Sequence, residues 1–254
     1  MAYKELGIES EYTAIEIKSG NLSSFLSTCD EKWTGFSLTM PLKEEVLKSA
    51  SSISPLSARI RSANTLVRSD GQWSATTTDV SGFTQALAAH DLDASGEVLI
   101  IGAGATARAA AAACDGVADR ITVMNRSPSR VEAISNSVEI SDLEFVNWQD
   151  FGALEYADLI ISTTPQGVTD SLVQAFPTDS SAVFFDVLYK PWPTLALQAW
   201  SISGAATIDG LDLLIHQAID QVAIFSGEKF DRASMATLMR THGIRALTLS
   251  TQEI

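Results

Sequence analysis

Short apolar runs alternate with helix-like stretches through the middle of the chain. The runs cover residues 98–101, 121–124, 159–161 and 183–185. Unbroken apolar runs of this length are typical of strands buried on both faces, as they are in parallel sheets. Their alternation with helical stretches predicts a doubly wound parallel α/β sheet over residues 81–209.

The first eighty residues mix helical and strand-like patterns. Residues 12–17 are strand-like, and Pro41 leads a helix-like segment that runs to Ala50. Residues 64–68 and 72–75 predict a hairpin, because a Ser-Asp-Gly turn separates them. We therefore expect a mixed α/β domain over residues 1–80.

Two helices are predicted at the C-terminus. Apolar residues recur at helical spacing from Gly210, and a second helical pattern covers residues 232–242. No strand pattern accompanies them, so we expect residues 210–254 to pack back on the first domain. The predicted fold class is α/β with two domains, a mixed α/β domain and a Rossmann-like doubly wound domain.

Composition and charge narrow the class of protein. The 254 residues are 46% hydrophobic and 19% charged, which is typical of a globular protein with sizeable cores. A net charge of −14 opposes binding to nucleic acid or to an anionic membrane, so we expect neither partner. Cys29 and Cys114 form no paired motif, and no apolar stretch is long enough to cross a bilayer, so we expect a soluble, cytoplasmic protein. His90, His216 and His242 are dispersed, so we expect no metal site.

The strongest chemical signal directly follows the first apolar run of the predicted parallel sheet. Gly102 permits a tight turn from strand to helix, Gly104 lets a pyrophosphate approach the N–H groups of the helix N-terminus, and the small Ala107 allows close helix–strand packing. This order predicts a dinucleotide site. Its predicted residues are Gly102, Ala103, Gly104, Ala105 and Thr106.

The end of the second apolar run indicates which dinucleotide is bound. A site for NAD usually has Asp or Glu there for the ribose 2′-hydroxyl, whereas this chain has Asn125. Arg126 and Ser127 follow, with Arg130 one turn later, and guanidinium groups suit a 2′-phosphate. Because the whole chain is acidic, a local cluster that includes Arg108 is expected to hold the anion. The predicted cofactor is NADP(H).

Three polar residues stand outside the predicted dinucleotide site. Lys43 follows Pro41, Asn64 begins the predicted hairpin, and Asp79 precedes a helical pattern over residues 81–90. Taken singly, each has an ordinary interpretation as a solvated lysine, a turn amide or a helix N-cap. Together they indicate a cleft between the domains, where a small polar substrate would meet a nicotinamide.

Seven segments, taken in order, resemble the shikimate dehydrogenase family and span nearly the whole chain. They lie at residues 35–43, 63–66, 78–83, 102–104, 125–127, 186–191 and 210–218. The most distinctive are the Thr-x-Pro-x-Lys segment that ends at Lys43 and the Gly-Leu-x-x-Leu-x-x-Gln-Ala helix that begins at Gly210. The resemblance implies reduction of 3-dehydroshikimate by NADPH in a monomer or homodimer.

The resemblance also implies functions for individual residues. Lys43 and Asp79 match the family's catalytic pair and imply coupled acid/base chemistry, with the position of the transferred proton left open. The substrate-binding positions are Ser37, Thr39, Asn64, Tyr189 and Gln217. Further cofactor-binding positions are Thr164, Val187 and Gly210, of which Val187 and Gly210 line the nicotinamide.

Four residues depart from the family pattern. Ser37, Thr77 and Ser162 stand where the family has Asn, and Asp212 stands where it has the second Gly of the tail-helix motif. The first three exchanges keep a polar side chain. Asp212 is interpreted as a first-turn carboxylate, which the helix dipole favours.

The start of the chain also departs from the family. Residues 1–7 resemble the helix that follows the family's first strand and Ser-x-Ser loop, so the first sheet is expected to have backbone groups without partners. Two explanations stay open: the start was assigned too late, or the sheet re-pairs or self-associates around a weakened site. The missing loop leaves a catalytically weak NADP-binding protein as an alternative to an active NADP-dependent enzyme. An NAD-using quinate/shikimate dehydrogenase is a second alternative, against which Arg126 speaks.

Overall fold

Two β-sheets organise the chain, which we describe over residues 1–250 of a computed structural model. One sheet has four strands of mixed direction, and the other has six parallel strands. The predicted α/β class, with a mixed first part and a doubly wound second part, is confirmed. The predicted C-terminal segment extends to residues 251–254, which lie outside the described residues.

The first sheet has the strand order β1-β3-β4-β2. β3 and β4 form the predicted hairpin, and β1 pairs antiparallel with β3. Asp70 and Gly71 both have positive φ, 50° and 75°, which is the backbone that a tight two-residue hairpin turn requires. The elements of this part are α1 (Ala2–Glu5), α2 (Leu22–Leu26), β1 (Gly35–Ser37), α3 (Leu42–Glu45), β2 (Ser52–Ile53), α4 (Pro55–Arg59), β3 (Thr65–Ser69) and β4 (Gln72–Thr76).

Residues 12–17 do not form the predicted strand, and that prediction was wrong. The segment has no regular secondary structure, and Tyr12 and Ile15 are 63% and 43% exposed. An alternating pattern becomes a strand only where a neighbouring strand supplies hydrogen-bond partners. Within residues 1–250, the neighbours in this sheet are paired with one another and none with residues 12–17.

The second sheet has the strand order β10-β9-β8-β5-β6-β7. On one side of the sheet centre the strands follow in the order β5, β6, β7, and on the other side they follow in the order β8, β9, β10. In open parallel sheets, ligands bind at the carboxyl ends of the strands where the order reverses, which here is between β5 and β8. The elements are α5 (Asp79–Ala88), β5 (Glu97–Ile101), α6 (Ala105–Cys114), β6 (Arg120–Asn125), α7 (Val131–Ser135), β7 (Asp142–Asn147), α8 (Ala153–Tyr156), β8 (Leu159–Ser162), β9 (Val183–Asp186), α9 (Leu195–Ile202) and β10 (Thr207–Ile208).

The C-terminal helices are α10 (Gly210–Ser226) and α11 (Arg232–Ser250). α10 packs mainly on α5 and also contacts β3, while α11 packs on α10. A Cβ at Gly82 of α5 would lie 3.2 Å from the Cβ of Gln217, so the two helices approach closely at this point. In the part of the chain that the structure describes, no helix combines the length and the apolar character needed to span a bilayer.

The two thiols differ in burial, which predicts their reactivity. Burial raises the pKa of Cys114 to about 12, whereas Cys29 is only half-buried. A thiol-specific reagent at about pH 8 should therefore modify Cys29 in the native protein and Cys114 only after denaturation, because the thiolate is the reacting form. A Cys29→Ser variant is the matched control and should not react before unfolding. Rapid modification of both thiols in the native protein would contradict the buried placement of Cys114.

Candidate active site

Lys43 and Asp79 form a lysine–aspartate pair between the two parts of the chain. Lys43 lies on α3, and Asp79 is the first residue of α5. The Lys43 Nζ lies 2.8 Å from Asp79 Oδ2, and the two side chains are only 15% and 3% exposed. A buried carboxylate needs a charged or hydrogen-bonding partner, and Lys43 supplies one.

Asp79 does not cap α5, which corrects the N-cap interpretation. Thr78 occupies the N-cap position, and the Asp79 carboxylate points to other groups. Besides Lys43, it accepts a hydrogen bond from Asn64 Nδ2 at 2.9 Å. Asn64 is fully buried and its Oδ1 accepts from Thr78 N at 2.8 Å. The amide therefore holds both the end of the β4–α5 turn and the carboxylate.

Gln217 joins this group from α10. Asn64 Nδ2 lies 2.7 Å from Gln217 Oε1, a distance that the close approach of α5 and α10 makes possible. The structure thus brings four predicted site residues together: Lys43, Asn64, Asp79 and Gln217. Their donors and acceptors converge on one position, which suits a substrate with several hydroxyl groups.

Gln221 belongs to the same cluster and was not predicted. It lies one turn after Gln217 and is 7% exposed. Its Nε2 donates to the Asn64 carbonyl oxygen at 3.1 Å, and its Oε1 accepts from Ser37 Oγ at 2.8 Å. The sequence signal was available, because two glutamines four residues apart in a helix face the same side. Ser37 is therefore held by Gln221.

Two predicted substrate residues stand apart from this cluster. Thr39 is exposed, and Tyr189 is 43% exposed on the loop after β9. Neither side chain makes a hydrogen bond with any residue that the structure describes. Their hydroxyl groups are free to meet a ligand.

The glycine loop lies at the reversal point of the parallel sheet. Gly102 has φ of +113°, and a Cβ there would lie 2.6 Å from Thr163 Oγ1, so the turn requires glycine. A Cβ at Gly104 would meet no atom within 4 Å, so the space beside that residue is open. The ten-residue helix α6 begins at Ala105 and directs its first N–H groups toward the end of the loop. Open space at a helix N-terminus fits the pyrophosphate of a dinucleotide.

The last residue of β6 and the residues after it offer hydrogen-bond donors to the adenosine end of such a cofactor. Asn125 Nδ2 is buried and has no hydrogen-bond partner among residues 1–249. Arg126, Ser127 and Arg130 are exposed, and neither arginine forms an ion pair in the described chain. An orphaned amide beside two free guanidinium groups fits a ribose that carries a 2′-phosphate.

Arg108 does not join this phosphate cluster, and that expectation was wrong. The residue is 3% exposed, and its guanidinium is bonded to Glu44 and to the carbonyl oxygens of Ile60 and Arg61. These acceptors all belong to the first part of the chain. The sequence showed a charge next to the loop but not the direction of its side chain.

The predicted nicotinamide positions, Val187 and Gly210, lie next to each other and are in contact through their backbone atoms. A Cβ at Gly210 would lie 2.2 Å from the Val187 carbonyl oxygen, so glycine is required there for the loop after β9 to pack on α10.

Thr164 is buried, and its Oγ1 lies 2.7 Å from Thr169 Oγ1. Burial raises the pKa of Asp186, whose carboxylate accepts from Thr194 Oγ1 at 2.6 Å.

Asp209 fastens the start of α10 to its surroundings. Its carboxylate accepts from Leu211 N at 3.1 Å, from Trp192 Nε1 at 3.0 Å and from Arg240 Nη2 at 3.0 Å. Burial opposes its ionisation, but the bonds from Arg240 and Trp192 outweigh burial and lower the pKa of Asp209. Asp212 lies in the first turn as expected, yet it is buried and paired with Arg240 and His90.

The structure also shows the surroundings of the other two histidines, His216 and His242. His242 Nδ1 lies 2.9 Å from the Leu238 carbonyl oxygen, and burial lowers the pKa of the half-buried His216. Across the described part of the chain, no group of three or more His, Cys, Asp or Glu residues has the arrangement of a metal site.

The dinucleotide cleft and the lysine–aspartate pair are linked, because Glu44 next to Lys43 contacts Arg108 next to the glycine loop. A doubly wound sheet with such a loop, joined to a second sheet that carries a buried acid–base pair, defines a two-domain α/β dehydrogenase.

Comparisons with known proteins identify the family. A model described as the shikimate dehydrogenase substrate binding domain matches residues 1–66, and one described as shikimate / quinate 5-dehydrogenase matches residues 86–187. A Thermosynechococcus vestitus protein named shikimate dehydrogenase (NADP(+)) is 30% identical over 251 residues, which are 94% of this chain and 88% of that protein. This chain belongs to the shikimate dehydrogenase family.

Solved structures agree with this assignment. Mycobacterium tuberculosis shikimate dehydrogenase has a TM-score of 0.84 and 30% identity, with coverage of 94% of this chain and 91% of that chain. Thermus thermophilus shikimate 5-dehydrogenase, solved in complex with NADP(H) and shikimate, has a TM-score of 0.82 and 27% identity, with the same coverage of 94% and 91%.

The glycine loop yields a prediction that separates folding from cofactor binding. Gly104→Ala should leave the melting temperature unchanged, because the added methyl group meets open space, but it should weaken NADP(H) binding by on the order of tenfold. Gly152→Ala is the matched control, since its nearest atom is Asp150 Oδ1 at 3.5 Å and it lies outside the loop. Calorimetric titration and thermal unfolding measure both effects. Unchanged NADP(H) affinity in Gly104→Ala would contradict a pyrophosphate at this position.

Proposed function

We propose that this chain interconverts 3-dehydroshikimate and shikimate with NADP(H) as the hydride carrier. The observation that carries this proposal is the Lys43–Asp79 pair, which is buried and bonded to Asn64 beside Gln217. Family membership supports the substrate class, because the Thermus thermophilus relative was solved with shikimate and NADP(H). The four polar side chains supply charge and hydrogen bonds suited to a small hydroxylated acid.

In the reductive direction, a bound NADPH would supply the hydride for the carbonyl carbon of the substrate. The carbonyl π electrons move to oxygen, and that oxygen takes a proton from the Lys43–Asp79 pair, which gives the alcohol. Asn64 and Gln217 hold the neighbouring hydroxyl groups, and the fixed orientation lowers the entropic part of the barrier. In the oxidative direction the pair accepts the proton. The two residues act as one coupled acid–base unit.

The choice of NADP over NAD is assigned to the last residue of β6 and the residues after it. Arg126 and Arg130 carry positive charge with no ion-pair partner in the described chain, and Asn125 replaces the carboxylate that would repel a 2′-phosphate. Two positive charges near a dianionic phosphate favour NADP, because NAD has only a hydroxyl there.

Lys43→Met tests the proton-transfer assignment. We expect kcat for shikimate oxidation to fall by on the order of 10²–10⁴-fold, because general acid–base catalysis contributes about this much. Lys48→Met is the matched control, since Lys48 is exposed on the next turn and should keep full activity. NADPH absorbance gives the rate, and circular dichroism checks the fold. An active Lys43→Met enzyme would refute the assignment, and an inactive wild type that still binds NADP⁺ would instead support the catalytically weak alternative.

Arg126→Ala tests the cofactor assignment. NADP⁺ affinity should fall by about ten- to a hundredfold, because one charge-assisted contact is lost, while NAD⁺ affinity should stay within about twofold. Arg245→Ala, which removes an arginine from α11, controls for the change in net charge. Titration of both cofactors against all three proteins gives the ratio. A wild type that binds NAD⁺ more tightly than NADP⁺ would support the NAD-using quinate/shikimate dehydrogenase instead.

A further inference from the structure

We propose that Arg108 is a positioning residue that fixes the lysine–aspartate pair relative to the dinucleotide loop. The inference rests on the proposed function for its kinetic test. Arg108 lies on the first full turn of α6, directly after the glycine loop, and is 3% exposed. Its side chain points away from the second sheet, toward hydrogen-bond acceptors that belong to the first part of the chain.

The guanidinium group makes three contacts across this boundary. Nε donates to the Ile60 carbonyl oxygen at 2.6 Å, and Nη2 donates to the Arg61 carbonyl oxygen at 3.1 Å. Nη2 also contacts Glu44 Oε1 at 2.7 Å. A planar fork with several fixed donors can hold acceptors at different positions, which a lysine ammonium on a flexible stem cannot do equally well.

Two routes lead from these acceptors to the reacting groups. Glu44 is the chain neighbour of Lys43, so the first route passes along α3. The second passes along the backbone, because Ala63 N donates to the Lys43 carbonyl oxygen at 2.9 Å and the next residue, Asn64, bonds Asp79. Arg108 therefore supports both members of the pair without touching either of them.

Other arginine side chains cross the same boundary but are more exposed than that of Arg108, which is 4% exposed beside a Glu44 side chain that is 58% exposed. Arg61 Nη2 contacts Glu132 Oε1 at 3.0 Å with side chains 52% and 78% exposed, and the Arg59 side chain that contacts Glu139 is 25% exposed. Exposed pairs contribute little and are screened by salt. Arg59 also lies 3.6 Å from Asp115, whose side chain is buried, a longer contact than those of Arg108. Arg108 has the most buried side chain of these arginines and also donates to two backbone carbonyl oxygens, so it fixes the relative placement of α6 and the Ile60–Asn64 segment most strongly.

Misplacement of the pair by about 1 Å is expected to slow hydride transfer without weakening cofactor binding, because the cofactor contacts other residues. We therefore expect Arg108→Ala to lower kcat by on the order of 10- to 100-fold and to change the NADP⁺ dissociation constant by less than about threefold. Arg108→Lys should recover only part of the loss. Guanidinium chloride at sub-denaturing concentration should raise kcat of Arg108→Ala, whereas equal sodium chloride should not.

Arg120→Ala is the matched control. Arg120 begins β6, its side chain is 46% exposed, and its nearest carboxylate oxygen is at 4.0 Å, so its kinetics should equal those of the wild type. Glu44→Gln, which keeps Arg108 in place, should lower kcat less than Arg108→Ala does. If Arg108→Ala does not fold, the kinetics of Glu44→Gln provide the test in its place.

A readout that needs no turnover separates this inference from the proposed function. Hydrogen exchange of a peptide that contains the Ala63 amide should be faster in Arg108→Ala than in wild type and in Arg120→Ala. Unchanged exchange there, or a folded Arg108→Ala enzyme with wild-type kcat, would overturn the inference. Loss of NADP⁺ affinity in proportion to kcat would also overturn it, because Arg108 would then be a cofactor ligand. An inactive wild type would overturn the proposed function, and the exchange measurement would still decide on Arg108.

Discussion

The close approach of α5 and α10 at Gly82 is the contact on which the site depends. With no side chain at Gly82, the two helix backbones come near enough for Gln217 to reach Asn64. α5 begins at Asp79, so the same contact also fixes the carboxylate. Because α10 is continuous, Gln221 is held one turn further on and secures the β3 end of the site. The small residue at Gly82 therefore favours a close contact that brings together residues far apart in the sequence.

Positive charge is used in two different ways around the cofactor cleft. Arg108 is buried and bonded to carbonyl and carboxylate oxygens of the protein. Arg126 and Arg130 are exposed and form no ion pair in the described chain, which leaves their charge available for the 2′-phosphate proposed above. The distinction is physical, since a buried guanidinium must have its donors satisfied by the protein, whereas an exposed one is satisfied by water until an anion displaces it.

Much of the fold could be predicted from local patterns, and the failures have identifiable causes. The parallel strands were predictable because burial on both faces leaves an apolar run, whereas β7 was missed because its alternating residues, Asp142–Asn147, are only half-buried at the sheet edge. The strand predicted at residues 12–17 is not formed, because no strand among the described residues pairs with this segment. In the site, residue types were predictable but the directions of side chains were not always: Arg108 was interpreted as a phosphate ligand, and Gln221 was overlooked. Side-chain direction depends on tertiary contacts that no local pattern contains.

The uneven distribution of charge has a consequence for how the cofactor is captured. The chain carries a net charge of −14, so a nucleotide anion at long range meets a repulsive field. At physiological ionic strength that field fades over a Debye length of about 8 Å, and only within this distance do Arg126 and Arg130 become the nearest charges. Under the proposed assignment, the two arginines attract the 2′-phosphate only over this short distance. Selection between NADP and NAD would then occur at contact and not during the approach of the nucleotide.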